Sequence, residues 1–177
     1  MEDVILVNDN NEQIGVMPKL EAHHANTPLH RAFSVYVFNK AGKFLLTQRA
    51  LKKKVFPGVW TNSCCGHPGP DEATEDAIKR RLAFELGLKP ENLRLILPNY
   101  RYRAEMNGIV ENEICPVYIA TVSKDPKPNP KEVEDYEWIE WQEFLKRLKE
   151  TPEKYSPWCT EQAELLNKNK LFLEREV

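Results

Sequence analysis

The stretch Asn62-Ser63-Cys64-Cys65-Gly66-His67-Pro68-Gly69-Pro70, running on through Asp71-Glu72 to Ile78-Lys79-Arg80-Arg81-Leu82-Ala83-Phe84-Glu85-Leu86-Gly87-Leu88, decides how the rest of the chain is read. Its first half is a loop punctuated by glycine and proline, and its second half has the pattern of a helix. Asp71 or Glu72 opens that helix with acidic residues against the positive end of its dipole, and Gly87 followed by Pro90 closes it. Ile78, Leu82 and Leu86 recur every four residues as one apolar stripe, while Arg81 and Glu85 share a neighbouring face.

Upstream of this unit, the apolar runs Val4 to Val7 and Ile14 to Met17 flank the turn formers Asn8-Asp9-Asn10-Asn11, which predicts an N-terminal hairpin. A polar connection from Glu21 to His30 leads to two expected strands, Phe33 to Phe38 and Phe44 to Thr47. The segment Ala50 to Pro70 reads as a loop. Downstream, Leu93 to Arg103 and Ile109 to Val122 read as two strands about an Asn107-Gly108 turn. After the Pro-rich run Lys124 to Pro130, Tyr136 to Trp141 reads as one more strand. Two helices, around Gln142 to Lys149 and from Ser156 to Lys170, end the chain. The expected class is therefore α/β or α+β, a mixed sheet covered by helices with an extra N-terminal hairpin.

The chain has 177 residues, enough for one core, and residues 1–177 are expected to form one domain. The net charge of −2 and the lack of a Lys/Arg stripe argue against holding a nucleic-acid backbone, so an anionic ligand should be small and locally bound. Acidic Glu2 and Asp3 precede the short run Val4 to Val7, the wrong order for a secretory signal, and no stretch approaches the roughly 20 apolar residues of a membrane span. Cys64, Cys65, Cys115 and Cys159 form no regular disulfide framework, so reduced thiols and a cytoplasmic location are expected.

The chemistry-bearing residues are spread over several segments. Cys65 and His67 place a thiol two residues from an imidazole in a tight loop, where the Cys can be a nucleophile, an acid or base, a metal ligand, or simply a buried packing residue. Glu111 and Glu113 project to one face of a strand, and two such carboxylates repel unless they face water, share a cation or hold a proton. With His23, His30 and His67 they make a donor set suited to a Mn, Fe or Zn type ion rather than Ca, although His24 beside His23 leaves that register open.

The spacing of Gly66, Glu72, Arg80, Leu82, Glu85, Gly87 and Leu88 resembles the Nudix box, in which a Gly, a Glu, an Arg and a Glu pair hold metal against a diphosphate. Arg81 and Phe84 stand where Nudix hydrolases carry two further carboxylates, which implies a Nudix-like fold with altered chemistry. From about Val4 to Trp158 the sequence resembles type I isopentenyl-diphosphate isomerases. The matching segments include Leu29-His30-Arg31-Ala32-Phe33-Ser34, Thr47-Gln48-Arg49-Ala50, Trp60-Thr61-Asn62-Ser63, Cys65-Gly66-His67-Pro68, Tyr100-Arg101-Tyr102-Arg103-Ala104 and Ser156-Pro157-Trp158.

That resemblance implies interconversion of isopentenyl and dimethylallyl diphosphate in isoprenoid biosynthesis, by a monomer acting on a small molecule. It implies one Mn²⁺, Zn²⁺ or Fe²⁺ on His23, His30, His67, Glu111 and Glu113. A Mg²⁺ would arrive with the diphosphate and be held by Glu85 and the carbonyl of Cys65. Proton transfer falls to Cys65 and Glu113, with Tyr102 close by, and either of the first two can be the first acid. Lys19, Arg49, Lys53 and Arg81 are the matching cations for the diphosphate, and Trp158 offers a π face to a carbocation. A Nudix diphosphohydrolase and a non-catalytic metal-stabilised binding module are the competing readings. Arg81 and Phe84 speak against the first, and the mixed donor set, unlike a closed four-ligand zinc site, against the second.

Overall fold

The structure is a computed structural model and describes residues 2–174. The expected hairpin is present as β1 (Asp3–Val7) and β2 (Gln13–Pro18), paired antiparallel. Its turn is held by Asn8, whose Oδ1 accepts the amides of Asn10 and Glu12, both at 3.0 Å. A single helical turn, α1 (Lys19–Ala22), leads to the two-residue β3 (His30–Arg31), then to β4 (Phe33–Asn39) and β5 (Phe44–Arg49). The expected loop 50–70 contains two short strands, β6 (Trp60–Thr61) and β7 (Cys64–Gly66), which pair with β5 and β4.

Helix α2 (Thr74–Leu86) starts later than its acidic residues predict. Asp71 takes a left-handed φ of 60°, and Glu72 turns its carboxylate back to accept the Gly69 amide at 2.8 Å and Nε and Nη2 of Arg80, each at 2.7 Å. Glu72 therefore ties the loop to the helix from outside. At the other end Gly87, at φ 64°, closes α2 with its amide on the Ala83 carbonyl at 3.1 Å.

The remaining strands are β8 (Glu91–Leu97), β9 (Arg101–Met106), β10 (Ile109–Ile114), β11 (Val117–Val122) and β12 (Val133–Ile139). Then come α3 (Trp141–Glu150), α4 (Pro157–Leu166) and α5 (Lys170–Leu173). The last expected helix is thus two, broken at Asn167 to Asn169, where Asn169 caps the second by accepting the Phe172 amide at 3.2 Å.

Two further runs read as single strands are each divided between two sheets. One sheet has the order β2-β1-β3-β10-β9 and the other β12-β5-β4-β11-β8. The breaks fall at Pro98 to Tyr100 and at Cys115-Pro116, where proline has no amide for a ladder. Glu113 stands opposite His30 and Val117 opposite Ser34, both parallel, so the register passes through the break without slipping. Three neighbouring strand runs therefore bend together from one sheet into the other.

Strand β4 is buried on both faces, as its nearly unbroken apolar run requires. Phe33, Val35 and Val37 pack with Ile78, Leu82 and Leu86 of α2. Tyr36 and Phe38, alternating with them, face Trp141, Phe144, Trp158 and Ala163 of α3 and α4. The three stripe residues of α2 are each fully buried, and each contributes about 1.5–3 kcal/mol of transfer free energy. Gly66 on β7 passes so close to α2 that a Cβ there would lie 2.8 Å from the Phe33 ring and 2.9 Å from Arg81 Cγ.

Candidate active site

On one side of the bend three imidazoles and two carboxylates converge. His23 follows α1, His30 opens β3, His67 follows β7, and Glu111 and Glu113 alternate along β10. One potential ligand atom from each lies within 4.8 Å of all the others. The ring centroids of His23, His30 and His67 are 5.0, 5.1 and 5.6 Å apart. His24 is exposed, so His23 is the residue that points inward.

Two of the rings are fixed by backbone carbonyls. His23 Nδ1 bonds Lys19 O at 2.7 Å and His30 Nδ1 bonds Pro28 O at 2.9 Å. A carbonyl only accepts, so each Nδ1 carries the hydrogen, and it is the neutral form of each ring that offers an Nε2 lone pair to the cluster. His30 Nε2 and His67 Nδ1 are buried and have no hydrogen-bond partner among the described residues. Buried polar nitrogens rarely go unpaired, and for His30 Nε2, 3.5 Å from Glu113 Oε1, this donor set supplies a reason, while His67 meets the same carboxylate oxygen through Nε2 at 3.0 Å. Donors bonded to one ion at about 2.0–2.2 Å are separated by at most about 4.4 Å, so atoms already within 4.8 Å of one another need only small shifts to close on a single ion. A divalent cation therefore fits between these residues.

Burial, with Lys19 and His30 nearby, holds His67 well below the usual imidazole range, so it is neutral and ready to ligate. Burial opposes charge on His23 too, but Glu111, bonded to its Nε2 at 3.0 Å, outweighs it and raises the value, so this ring shares an Nε2 hydrogen with the carboxylate, one that an ion bound to both would displace. Burial likewise opposes charge on Glu113, yet His30 and the Tyr102 hydroxyl keep its carboxyl below the ordinary range.

Beside the cluster lies a cavity of about 380 Å³ whose wall includes Cys65, Tyr102, Glu113 and Trp158. Cys65 comes from the seven-stranded sheet, opposite Ser34, whereas Tyr102 and Glu113 face each other across the other sheet. Burial pushes the Cys65 thiol up to about 11, and it pushes the Tyr102 phenol well above its ordinary value. Both rest protonated at neutral pH. The Trp158 ring is buried against Phe56 and Tyr102, with centroids 4.9 and 5.4 Å away.

Lys19, Arg49, Lys53, Arg81 and Glu85 line the same cavity, and every one of the cations has a partner. Arg81 gives two hydrogen bonds to Glu85 Oε1, at 2.9 and 2.6 Å, and one to Glu2 at 2.8 Å. Lys19 bonds Glu2 at 2.8 Å, Lys53 pairs with Glu132, and Arg49 bonds the carbonyls of Val55 and Phe56. An anionic ligand entering here exchanges with these partners rather than meeting bare charges.

The NUDIX domain family model matches residues 28–159. An isopentenyl-diphosphate Delta-isomerase of Saccharopolyspora erythraea is 54% identical over 168 residues, which is 94% of this chain and 87% of that protein. The proteins of the same description from Paenarthrobacter aurescens and Klebsiella pneumoniae are 50% and 49% identical, covering 98% and 92% of this chain and 95% and 89% of their own lengths. The chain belongs to the isopentenyl-diphosphate Delta-isomerase family, within the Nudix fold.

Beyond the family, a crystal structure of a Deinococcus radiodurans protein superposes with a TM-score of 0.71 at 19% identity, over 96% of this chain and 99% of that one. A Nudix hydrolase from M. smegmatis gives 0.61 at 16% identity, over 98% and 97%. At such identities only the fold is shared. The hairpin, Lys19 and His23 lie before the span matched by the domain model.

Several residues that shape this cavity carry no signal in the sequence. Glu2 and Glu132 neutralise the cavity cations, but each looks like any other surface acid in the sequence. Asn62 falls inside a recognised segment, yet nothing there signals that its side chain meets Cys65 and Trp158. Ser34, bonded to the Cys65 sulfur at 3.4 Å, is identifiable only from the pairing of β4 with β7.

Proposed function

We propose that this protein interconverts isopentenyl and dimethylallyl diphosphate, adding a proton at C4 of the five-carbon unit and removing one from C2 through a tertiary carbocation. The observation that carries the reading is that a protonated thiol, Cys65, and an ionised carboxylate, Glu113, share one partly apolar cavity beside a buried His/Glu cluster. An unactivated alkene is a weak base, so the reaction needs a donor and an acceptor held in place and a pocket from which water is excluded. One of the two groups carries the proton the other lacks, and their roles exchange in the reverse direction.

His23, His30, His67, Glu111 and Glu113 would hold a divalent ion of the Mn, Zn or Fe(II) type, and Glu85 with the Cys65 carbonyl would hold Mg²⁺ accompanying the diphosphate. Held there, such an ion would supply positive charge to compensate the two buried carboxylates of Glu111 and Glu113 and to polarise them. Lys19, Arg49, Lys53 and Arg81, which line the cavity, bind the diphosphate, with Glu2 and Glu132 displaced as they do so. Tyr102, partnered with Glu113, orients the carboxylate. The Trp158 face stabilises the cationic carbon by about 2 kcal/mol, roughly thirtyfold in rate if felt only in the transition state.

Incubation of the purified protein with isopentenyl diphosphate, Mg²⁺ and Mn²⁺ is expected to yield dimethylallyl diphosphate. Release of inorganic phosphate or diphosphate without isomerisation would instead assign it hydrolase chemistry.

A further inference from the structure

We propose that Glu2 is a built-in competitor for the diphosphate, holding its cations between turnovers and returning to them as product leaves, so that this one carboxylate sets how tightly substrate and product are kept. The inference rests on the reading of Lys19 and Arg81 as diphosphate contacts, and it gives the displaced acid a part in the reaction cycle.

One carboxylate here meets three cations. Glu2 Oε2 accepts from Lys19 Nζ at 2.8 Å, while Oε1 accepts from Arg81 Nη1 at 2.8 Å and from Arg80 Nη1 at 3.3 Å. Lys19 stands on α1 and the two arginines on α2, so the acid bridges two elements as the oxygens of a bound phosphoryl group would. The Arg81 side chain is only 5% exposed and keeps Glu85 as a second partner, whereas the Glu2 side chain is 40% exposed. Glu2 can therefore leave by side-chain rotation into solvent while the cations stay where they are. Its main chain need not follow, because Glu2 O accepts the Lys19 amide at 2.9 Å and Asp3 pairs with Pro18 in the hairpin. A carboxylate tethered in this way remains beside the cations at an effective concentration on the order of millimolar.

The reaction gives such a competitor a use. Moving a double bond leaves the diphosphate unaltered, so contacts to it hold substrate and product alike. Binding that is equal in ground and transition states lowers KM without raising kcat, and it delays release of product. Glu132, on Lys53 and 3.4 Å from Arg81, is only 17% exposed, so Glu2 is the more easily displaced of the two acids.

The test is calorimetric titration of the metal-loaded protein with inorganic diphosphate and Mg²⁺. Glu2→Gln keeps the size of the side chain and its main-chain bonds, and is expected to tighten binding about tenfold, the gain when a site is free of its occupant about a tenth of the time. If Glu2 served only to dock the hairpin, the same substitution would loosen Lys19 and weaken binding. Asp3→Asn removes an equal charge one residue along, from a side chain that pairs with none of the three cations among the described residues. It is expected to change the affinity by less than about twofold, as a screened surface charge does. Equal gains in both variants would reduce Glu2 to a through-space charge and overturn the proposal, as would unchanged or weaker binding in Glu2→Gln. In turnover, KM for isopentenyl diphosphate should fall in Glu2→Gln while kcat does not rise; a raised kcat would also refute the competitor. Diphosphate bound by neither protein would remove the cation assignment and the proposal together. Tighter binding in Glu2→Gln without any isomerisation would uphold the competitor and fault only the reaction assigned.

Discussion

Cys65 and Glu113 carry opposite protonation into the same cavity, and this opposition sets what each substitution should do. Cys65→Ala removes the resident proton and little packing. Glu113→Gln removes the acceptor while keeping the shape. Each is expected to lower conversion of isopentenyl diphosphate by at least about 10²–10⁴-fold with the thermal midpoint nearly unchanged in Cys65→Ala, measured by product formation and calorimetry. Near-normal turnover in either variant would remove that residue from the proton path. These residues could be named from sequence because Cys-x-His and Glu-x-Glu are short local patterns whose chemistry is plain and whose blocks match a known family. Glu2, Glu132, Ser34 and Asn62 could not, because a carboxylate that neutralises a distant Arg81 or an amide that meets Trp158 leaves no periodicity to read.

At the level of elements, the contact of β7 with α2 has no spare room. Gly66→Ala would drive a methyl group into Phe33, which is fully buried, and into Arg81. The expected cost is about 1–3 kcal/mol of overpacking, read as a lower unfolding midpoint together with weaker substrate affinity as Arg81 shifts. The hairpin is docked by charge as well. Burial works against Glu2, but Lys19 and Arg81 outweigh it and bring its carboxyl from an ordinary 4.5 to about 2. A lowered folded value means the contribution is whole above 4.5 and is lost as the pH falls toward 2. Hydrogen-exchange protection of β1, corrected for intrinsic rates, should therefore decline across that window and be flatter with pH in Glu2→Gln. The hairpin, β4, β5 and the long helix were legible because their periodicity is local. The division of Leu93–Arg103 and Ile109–Val122 was not, since a proline marks a break in pairing without saying which sheet the next strand joins.

For the whole molecule, the donor cluster gathers α1, β3, β7 and β10, so an ion bound there stabilises only the assembled fold. At a hundredfold excess over its dissociation constant such an ion contributes about 2.7 kcal/mol, and each kcal/mol shifts the melting temperature of a chain this size by about 2–4 °C. Chelation is expected to lower that temperature and abolish isomerisation, and Mn²⁺ or Zn²⁺ should restore both. A chelated protein with unaltered melting would place the ion elsewhere. The bend shared by three strands has its own mechanical outcome, because Cys65 and Glu113 are mounted on opposite leaves of one crease. A small rotation of one leaf against the other changes the gap across which the substrate must sit, while every ladder within each leaf stays whole. Mild denaturant should therefore extinguish turnover at concentrations where far-ultraviolet circular dichroism still reads as native.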